Sequence, residues 1–400
     1  MAYSDQELLA LINEPESLTL ERKESFVKEK ACKTVCAFAN DLANTRRSGV
    51  LLIGVNDQGQ VLGVQVTDLL LQAVDQIKSD ARIQPLPSLT VRVINAGEHQ
   101  VIAIEVQPSN LPPVRFDGRT WVRMAASTHQ ANLEDERVLN ERRRTHAGRS
   151  FDSEPVPSAA VDDLDLRYFE DIYLPSALAR DVLAANGRQI EEKLCTTRMA
   201  SGTAPCVPTV AGLLTLGWSA QDFLSGAYVQ FIRYAGTEQG SAILDEEAIT
   251  GNLETVIRRS EERLKAHITS SVRILGTDRE KVEPSYPLEA LQQLLRNAIL
   301  HRNYEGTNAP TRMYWFADRL EIWNPGGPFG LVTRENFGQP YATDYRNPCI
   351  AEVLRNLGFV QKFGFGIQSA RQTLAANGNP APEFKVEQGY VLVTIRQRPE

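Results

Sequence analysis

Apolar and polar positions along the chain follow two periods, and the changes of period mark its elements. DQELLALI (5–12) sets apolar residues at helical spacing, and SLTLERKES (17–25) has the alternating character of an extended segment. KEKACKTVCAFANDLAN (28–44) returns to helical spacing. SGVLLIGVNDQGQVLGV (48–64) is a β-branched run, a turn over Asn56, Asp57, Gln58 and Gly59, and a second run, which predicts a hairpin. SLTVRVINAGEHQVIAIEV (88–106) repeats that arrangement with its turn at Asn95 to Glu98, and RTWVRMAAS (119–127) adds a strand. Helix, hairpin, helix, hairpin and strand in this order predict an α+β domain over residues 1–148.

The pattern then breaks. NERRRTHAGRSFDSEPVPSAAVDDLDL (140–166) mixes an Arg run with Ser, Pro and acidic residues and reads as an exposed linker, placed at 149–160. Its charge run is either a solvated face or a phosphate-binding arm. Helical segments and a strand-like AYVQFIRYAG (227–236) predict a helical, winged middle over 161–245. The last domain, 246–400, holds the amphipathic YPLEALQQLLRNAILHRNY, the strands TRMYWFA and RLEIWN, the Gly-rich turn NPGGPFG, YRNP, KFGFGIQSA and two closing strands.

Composition narrows the reading. A chain of 400 residues, 42% hydrophobic and 23% charged, is globular and multi-domain. A net charge of −7 restricts nucleic-acid binding to a local patch. The N-terminus shows no export signal and no run long enough to span a membrane, so a cytoplasmic protein without membrane partners is expected. Five scattered cysteines fit a reducing compartment; Cys32 and Cys36, one helical turn apart, read as buried thiols rather than half of a zinc site.

Chemistry concentrates in two places. Around residues 288–304, Leu291, Leu294, Leu295, Ala298 and Ile299 form an apolar stripe, with Gln293, Arg296, Asn297 and His301 on the adjoining face. An Asn oxygen there can ligate Mg²⁺, which takes one or two protein oxygens beside phosphates. Gly364 and Gly366 precede a helix whose N-terminus can meet phosphate. In the N-terminal block, Glu16, Glu21 and Asp57 could hold Mg²⁺ or Mn²⁺ for phosphodiester hydrolysis, with Lys23 stabilising developing charge; scattered surface carboxylates explain them equally well. RFDGRTWVRM interleaves Arg115, Arg119 and Arg123 with Phe116 and Trp121, suited either to backbone neutralisation and base stacking or to an edge strand with alternating faces.

LLRNAILHRNY, DRLEIWNPGGP, YRNP and GFVQKFGFGI, in this order, resemble the C-terminal ATPase-like domain of the GHKL class, an α/β sandwich, as found in RecG-like transcriptional regulators of bacteria. The resemblance implies ATP with Mg²⁺ as cofactors. It makes Asn297 the metal-ligating residue, sets Asn324, Gly326 and Gly327 at the base-reading position, and wraps Gly364 and Gly366 about the phosphates. His301, Arg302, Arg346 and Asn347 would complete the nucleotide site. Gln293 stands where that class has a Glu that positions the attacking water, and a neutral amide cannot act as a general base. ATP binding with slow or no hydrolysis is expected. Such modules often pair, which implies a homodimer or higher homo-oligomer.

ESLTLERKES, TVCAFANDLANTRRSGVLLIGVNDQGQVLGV and TWVRMAAST resemble the Schlafen-type AlbA domain, a nucleic-acid-associated fold. Glu16, Glu21 and Asp57 match the metal site of its nucleolytic members, and an altered loop carrying Arg46 and Arg47 adds a candidate phosphate contact. The expectation is an ATP-binding protein acting on RNA or DNA. One form is a Schlafen-type metal-dependent nuclease regulated by nucleotide, in stress or phage response. The alternative is a non-catalytic DNA-binding transcriptional regulator with ATP as ligand.

Overall fold

The computed structural model describes residues 3–184, 187–202, 205–275, 279–360 and 365–399, with backbone only at 184, 271–275 and 279–282. The chain divides into two compact units, Met1–Arg149 and Ser150–Glu400.

The N-terminal unit runs α1 (Asp5–Leu11), β1 (Leu20–Lys23), α2 (Lys28–Asn40), β2 (Gly49–Ile53), α3 (Asp68–Asp75), β3 (Ile83–Gln84), β4 (Leu89–Ala96), β5 (His99–Val106), β6 (Arg115–Phe116), β7 (Arg119–Met124), β8 (Ser127–Gln130) and α4 (Leu133–His146). One sheet has the order β1-β2-β5-β4 and a second the order β3-β6-β7-β8. β1 and β2 are parallel, Leu20 opposite Val50 through Lys23 opposite Ile53, because α2 carries the chain back between them. α2 buries Ala31, Cys32, Val35, Cys36, Phe38 and Ala39. Its Phe38 ring lies so close to β2 that a Cβ at Gly49 would sit 2.2 Å from it, so that strand must begin with glycine.

Two expectations change here. The first hairpin keeps its turn, with Gly59 N–H donating to Asn56 O at 3.0 Å and φ of +83° at Gly59. Its second arm, however, forms only the isolated bridge Val55–Val61, because β5 and not residues 60–64 pairs with β2. The Arg run lies not in a linker but at the end of α4, where Arg143, Arg144 and His146 complement the helix dipole. Arg142 donates to the Asp41 and Leu42 carbonyls at 2.6 Å each.

The C-terminal unit opens with short pieces: α5 (Leu166–Tyr168), α6 (Leu174–Ala177), α7 (Arg180–Ala184), α8 (Ile190–Thr196), the small wing β9 (Ala200–Ser201) and β10 (Val207–Pro208), α9 (Val210–Leu216) and α10 (Ala220–Phe223). The segment expected as linker is folded into this unit: Phe151–Ser153 make a 3-10 turn, and buried Asp152 accepts from Ile350 N–H at 2.9 Å. The main body follows as β11 (Val229–Tyr234), β12 (Ile243–Ile249), α11 (Leu253–His267), β13 (Ser270–Leu275), β14 (Arg279–Pro284), α12 (Leu288–His301), β15 (Thr311–Trp315), β16 (Arg319–Pro325), α13 (Pro348–Asn356), α14 (Gly366–Asn377), β17 (Glu383–Val386) and β18 (Tyr390–Arg396).

Six strands form one sheet in the order β12-β11-β15-β16-β18-β17. One face of it, through Phe231, Met313, Trp315, Leu320, Ile322, Val393 and Ile395, shares a core with Leu264 of α11, Leu291 and Leu295 of α12, and Leu374 of α14. Since β11 pairs with both β12 and β15, this layer begins at β11, and the break expected between residues 245 and 246 falls inside β12. The α+β class is as the periodicity predicts, whereas the expected middle and last domains fall in a single compact unit.

Candidate nucleotide cleft and candidate nucleic-acid interface

α12 buries Leu291, Leu294, Leu295, Ala298 and Ile299, which leaves Gln293, Asn297 and His301 on successive turns along one wall of a cleft of ≈ 140 Å³. Its floor is the core face of the sheet, where Ile322 and Asn324 of β16 lie opposite Val393 and Val391 of β18. The loop 326–347 contributes Phe329, Phe337 and Asp344, and the first turn of α14 contributes Gly366, Ile367, Gln368 and Ser369. The residue before α14, Phe365, makes no side-chain cap hydrogen bond to the amides of that turn.

The polar residues of the cleft fall into two kinds. Asn297 and Gln293 have no hydrogen-bond partner among the described residues. A Cβ at Gly366 would stand 3.4 Å from Gln293 Oε1, so α12 and α14 approach closely there. Asn324, 6% exposed, accepts from the Thr311 hydroxyl at 3.0 Å. Arg346, by contrast, spends its guanidinium on the fold, donating to His301 O at 3.0 Å and Gly327 O at 3.1 Å. His301 stacks on Tyr345 at 5.6 Å, and burial together with Arg346 pushes its pKa down to about 4, so it is neutral at pH 7 and offers phosphate no charge.

Two expected nucleotide residues lie outside the cleft lining. Arg302 donates to Gly226 O at 2.5 Å and Ala309 O at 2.7 Å, and Asn347 Nδ2 donates to the Leu300 and Arg302 carbonyls at 2.8 Å each. Asn347 thereby satisfies carbonyls at the end of α12, where helical carbonyls run out of partners, and Arg302 ties together loop carbonyls ahead of β11 and β15. Gly326 and Gly327 do line the cleft, for a steric reason: a Cβ at Gly327 would lie 2.3 Å from the carbonyl oxygens of both Glu387 and Gln388. Gly364 falls outside the described residues. Thr311 and the loop residues Phe329, Phe337 and Asp344 escaped the sequence reading. The first is a cross-strand neighbour of Asn324, and the loop lacks any periodicity.

In the N-terminal unit the proposed carboxylate site is not assembled. Glu21 is 6% exposed, its carboxylate engaged by Arg123 and by Lys23 Nζ at 2.8 Å, with Thr128 Oγ1 at 3.3 Å. Glu16 accepts from Arg22 N–H at 2.8 Å, and the exposed Asp57 offers only its carbonyl, to Arg22 Nη2 at 2.8 Å. Among the described residues no three acidic, His or Cys side chains could hold a metal ion. These residues as placed do not fit a divalent cation. Lys23 therefore faces Glu21 rather than a reacting phosphate.

The expected basic stripe is also divided. Arg119, Trp121 and Arg123 share a strand face, and α2 covers its inner part: Arg123 is 4% exposed, its guanidinium 5.2 Å from the Phe38 ring centroid, and Lys33 lies over Trp121 at 4.8 Å. Arg119 stays exposed, and Arg115 is half-exposed beside Glu136 at 3.6 Å. Arg46 and Arg47 are exposed on a loop whose backbone Asp41 holds through Thr45 N–H at 2.9 Å and Arg46 N–H at 2.7 Å. Cys32 and Cys36 are fully buried thiols, and burial pushes Cys32 up to about 11.

A family profile described as "Schlafen, AlbA_2" matches residues 16–132. The N-terminal unit is a Schlafen AlbA_2 domain. A second profile, described as "Putative ATP-dependent DNA helicase recG C-terminal", matches residues 308–395, so the chain joins an AlbA_2 domain to a RecG-type ATPase-like domain. That match covers β15 to β18 and begins after α12, so Asn297 precedes it. No curated protein matches the chain. Among solved structures, the DIP2311 protein from Corynebacterium diphtheriae is 18% identical with a TM-score of 0.46, over 98% of this chain and 68% of that one. The N-terminal domain of a RecG-related protein from Nitrosomonas europaea is 20% identical with a TM-score of 0.24, over 33% of this chain and 95% of that one. Among the described residues no helix is long and apolar enough to cross a membrane. An AlbA_2 domain with an ATPase-type partner belongs to the nucleic-acid-related, nucleotide-binding class.

Proposed function

We propose that this chain binds a nucleoside triphosphate in the C-terminal cleft and nucleic acid through its AlbA_2 domain, as a binding regulator without nuclease activity. The observation that carries the nucleotide half is the pair of amides, Asn297 and Gln293, left without partners on the wall of a cleft that ends at the uncapped start of α14. ATP is the triphosphate that the domain class implies. Its phosphates would meet the amides of Gly366 to Gln368. The Asn297 oxygen fits a Mg²⁺ that also takes phosphate oxygens, and the ion would neutralise their charge. Gln293 cannot accept a proton from water, so the bound nucleotide persists. The loop 326–347 would then close on it, giving a nucleotide-dependent state that a regulator can use.

Support for binding over cleavage comes from Glu21. Its carboxylate is neutralised by Arg123 and Lys23. To free it for a metal would break a buried ion pair, which costs about 3–5 kcal/mol. The exposed Arg46, Arg47 and Arg119, with the half-exposed Arg115, offer phosphate contacts that need no metal. Cytoplasmic location, self-association and a role in transcription or phage response belong to this reading.

The test is a combined binding and cleavage assay with tRNA, single-stranded DNA and duplex DNA, in Mg²⁺ or Mn²⁺, with and without ATP. Retention without cleavage is expected, weakened by Arg46→Ala/Arg119→Ala. Cleavage abolished by Glu21→Gln would establish a nuclease instead. For the nucleotide half, calorimetric titration should show Mg²⁺–triphosphate binding that Asn297→Ala weakens about tenfold or more, the cost of a lost ligand to a charged group.

A further inference from the structure

The cleft's floor contains one polar side chain amid apolar ones. Asn324 sits on the core face of β16 beside Ile322, with Val391 and Val393 opposite on β18 and Ala298 of α12 above. A flat apolar slot with a single buried polar group is built for a planar heteroaromatic ring whose edge that group reads. Which edge it reads depends on the orientation of the amide, and Thr311 settles that.

Thr311 is 1% exposed, and its hydroxyl has Asn324 as its partner among the described residues, at 3.0 Å. If the amide were turned over, Thr311 Oγ1 would become the acceptor and its own O–H would lose its acceptor inside the core. A buried donor left unpaired is the costlier arrangement. The hydroxyl therefore holds Asn324 Oδ1, and the Nδ2 group, without a partner among the described residues, faces the cleft as a donor. The oxygen that would accept from an adenine amino group is already engaged.

We infer that Asn324, oriented by Thr311, makes the cleft select purines bearing an oxygen at position 6, guanine and hypoxanthine, over adenine. The inference rests on the nucleotide-binding reading above. With position 6 of the base set against Asn324, as the proposal requires, a 6-oxo group accepts the Asn324 Nδ2 hydrogen, whereas the adenine amino group sets donor against donor. ATP remains a ligand, in second place.

The experiment titrates the full chain with Mg²⁺-GTP, Mg²⁺-ITP and Mg²⁺-ATP by calorimetry. GTP and ITP should bind about tenfold or more tightly than ATP, the effect of one mispaired buried hydrogen bond. Asn324→Asp, which replaces the donor with an acceptor, should reverse the order. Thr311→Val, which releases the amide to turn, should bring the nucleotides within about threefold of each other; thermal unfolding shows that each variant is folded. ATP binding as tightly as GTP to the unaltered protein, with Asn297→Ala still weakening it, would overturn the base selection and leave the nucleotide reading standing. ITP binding as weakly as ATP while GTP binds tightly would trace the preference to the 2-amino group and also overturn it. Failure of every triphosphate to bind would remove both.

Discussion

The charged cluster of the AlbA_2 domain and the cleft of the ATPase-like domain contain similar side chains put to opposite uses. Glu21, Arg123, Lys23 and Thr128 bond to one another, and Arg123 also donates to the Ser17 carbonyl and, at 2.7 Å, to the Leu20 carbonyl. Asn297 and Gln293 bond to nothing else among the described residues, and Asn324 keeps one half of its amide open. A polar group whose capacity is filled internally holds the fold together; one left open beside a cavity is held ready for a ligand. The distinction demotes the residues with the more catalytic appearance and promotes plain amides.

The sharpest way to break this comparison is to remove a partner from the closed cluster. Arg123→Ala leaves Glu21 buried and unpaired and should destabilise the AlbA_2 domain by about 3–5 kcal/mol in urea unfolding, with part of that recovered in Arg123→Ala/Glu21→Gln. An undiminished midpoint would mean that the cluster is solvated and free to take a metal. Gly327→Ala comes next. Its new Cβ meets two backbone carbonyls at 2.3 Å, so a loss of about 1–3 kcal/mol, accompanied by weaker nucleotide binding, is expected in the same assay.

His301 gives a smaller, pH-dependent effect. Its pKa falls from 6.5 to about 4 on folding, so between those values the unfolded chain binds a proton that the folded chain refuses. Stability should therefore decline as pH drops from about 6.5 towards 4, and His301→Gln should flatten that slope in a series of urea titrations. The smallest effect on stability belongs to Asn297→Ala. Since its amide bonds to no described residue, the unfolding free energy should move by no more than about 0.5 kcal/mol. A larger loss would make Asn297 a structural residue and blur the contrast between the two regions.

Much of this was legible beforehand, for reasons specific to each element. α2 and α12 announce themselves by apolar spacing, and the β4–β5 hairpin by Gly97 between two β-branched runs, because those signals are local. The parallel pairing of β1 with β2 was not legible, since period-two alternation is silent about which strand lies alongside. Glu16, Glu21 and Asp57 look like a metal site in one dimension, but strand register turns Glu21 towards Arg123, 102 residues away. Arg302 and Asn347, expected at the nucleotide, bond backbone carbonyls instead, since a carbonyl in need of a partner leaves no mark on the sequence.

The sequence by itself determined the order of elements, the α+β class, the AlbA_2 and ATPase-like segments and the face of α12 that carries Gln293, Asn297 and His301. These depend on periodicity and on short motifs, which are properties of neighbours along the chain. The tertiary structure alone decided which polar groups are spent and which are open: Arg123 against Glu21, Thr311 against Asn324, Arg346 against the carbonyls of His301 and Gly327. Hydrogen-bond capacity is finite and is filled by whatever the fold brings within about 3 Å, so the free donors and acceptors of a site exist only once the chain has closed on itself.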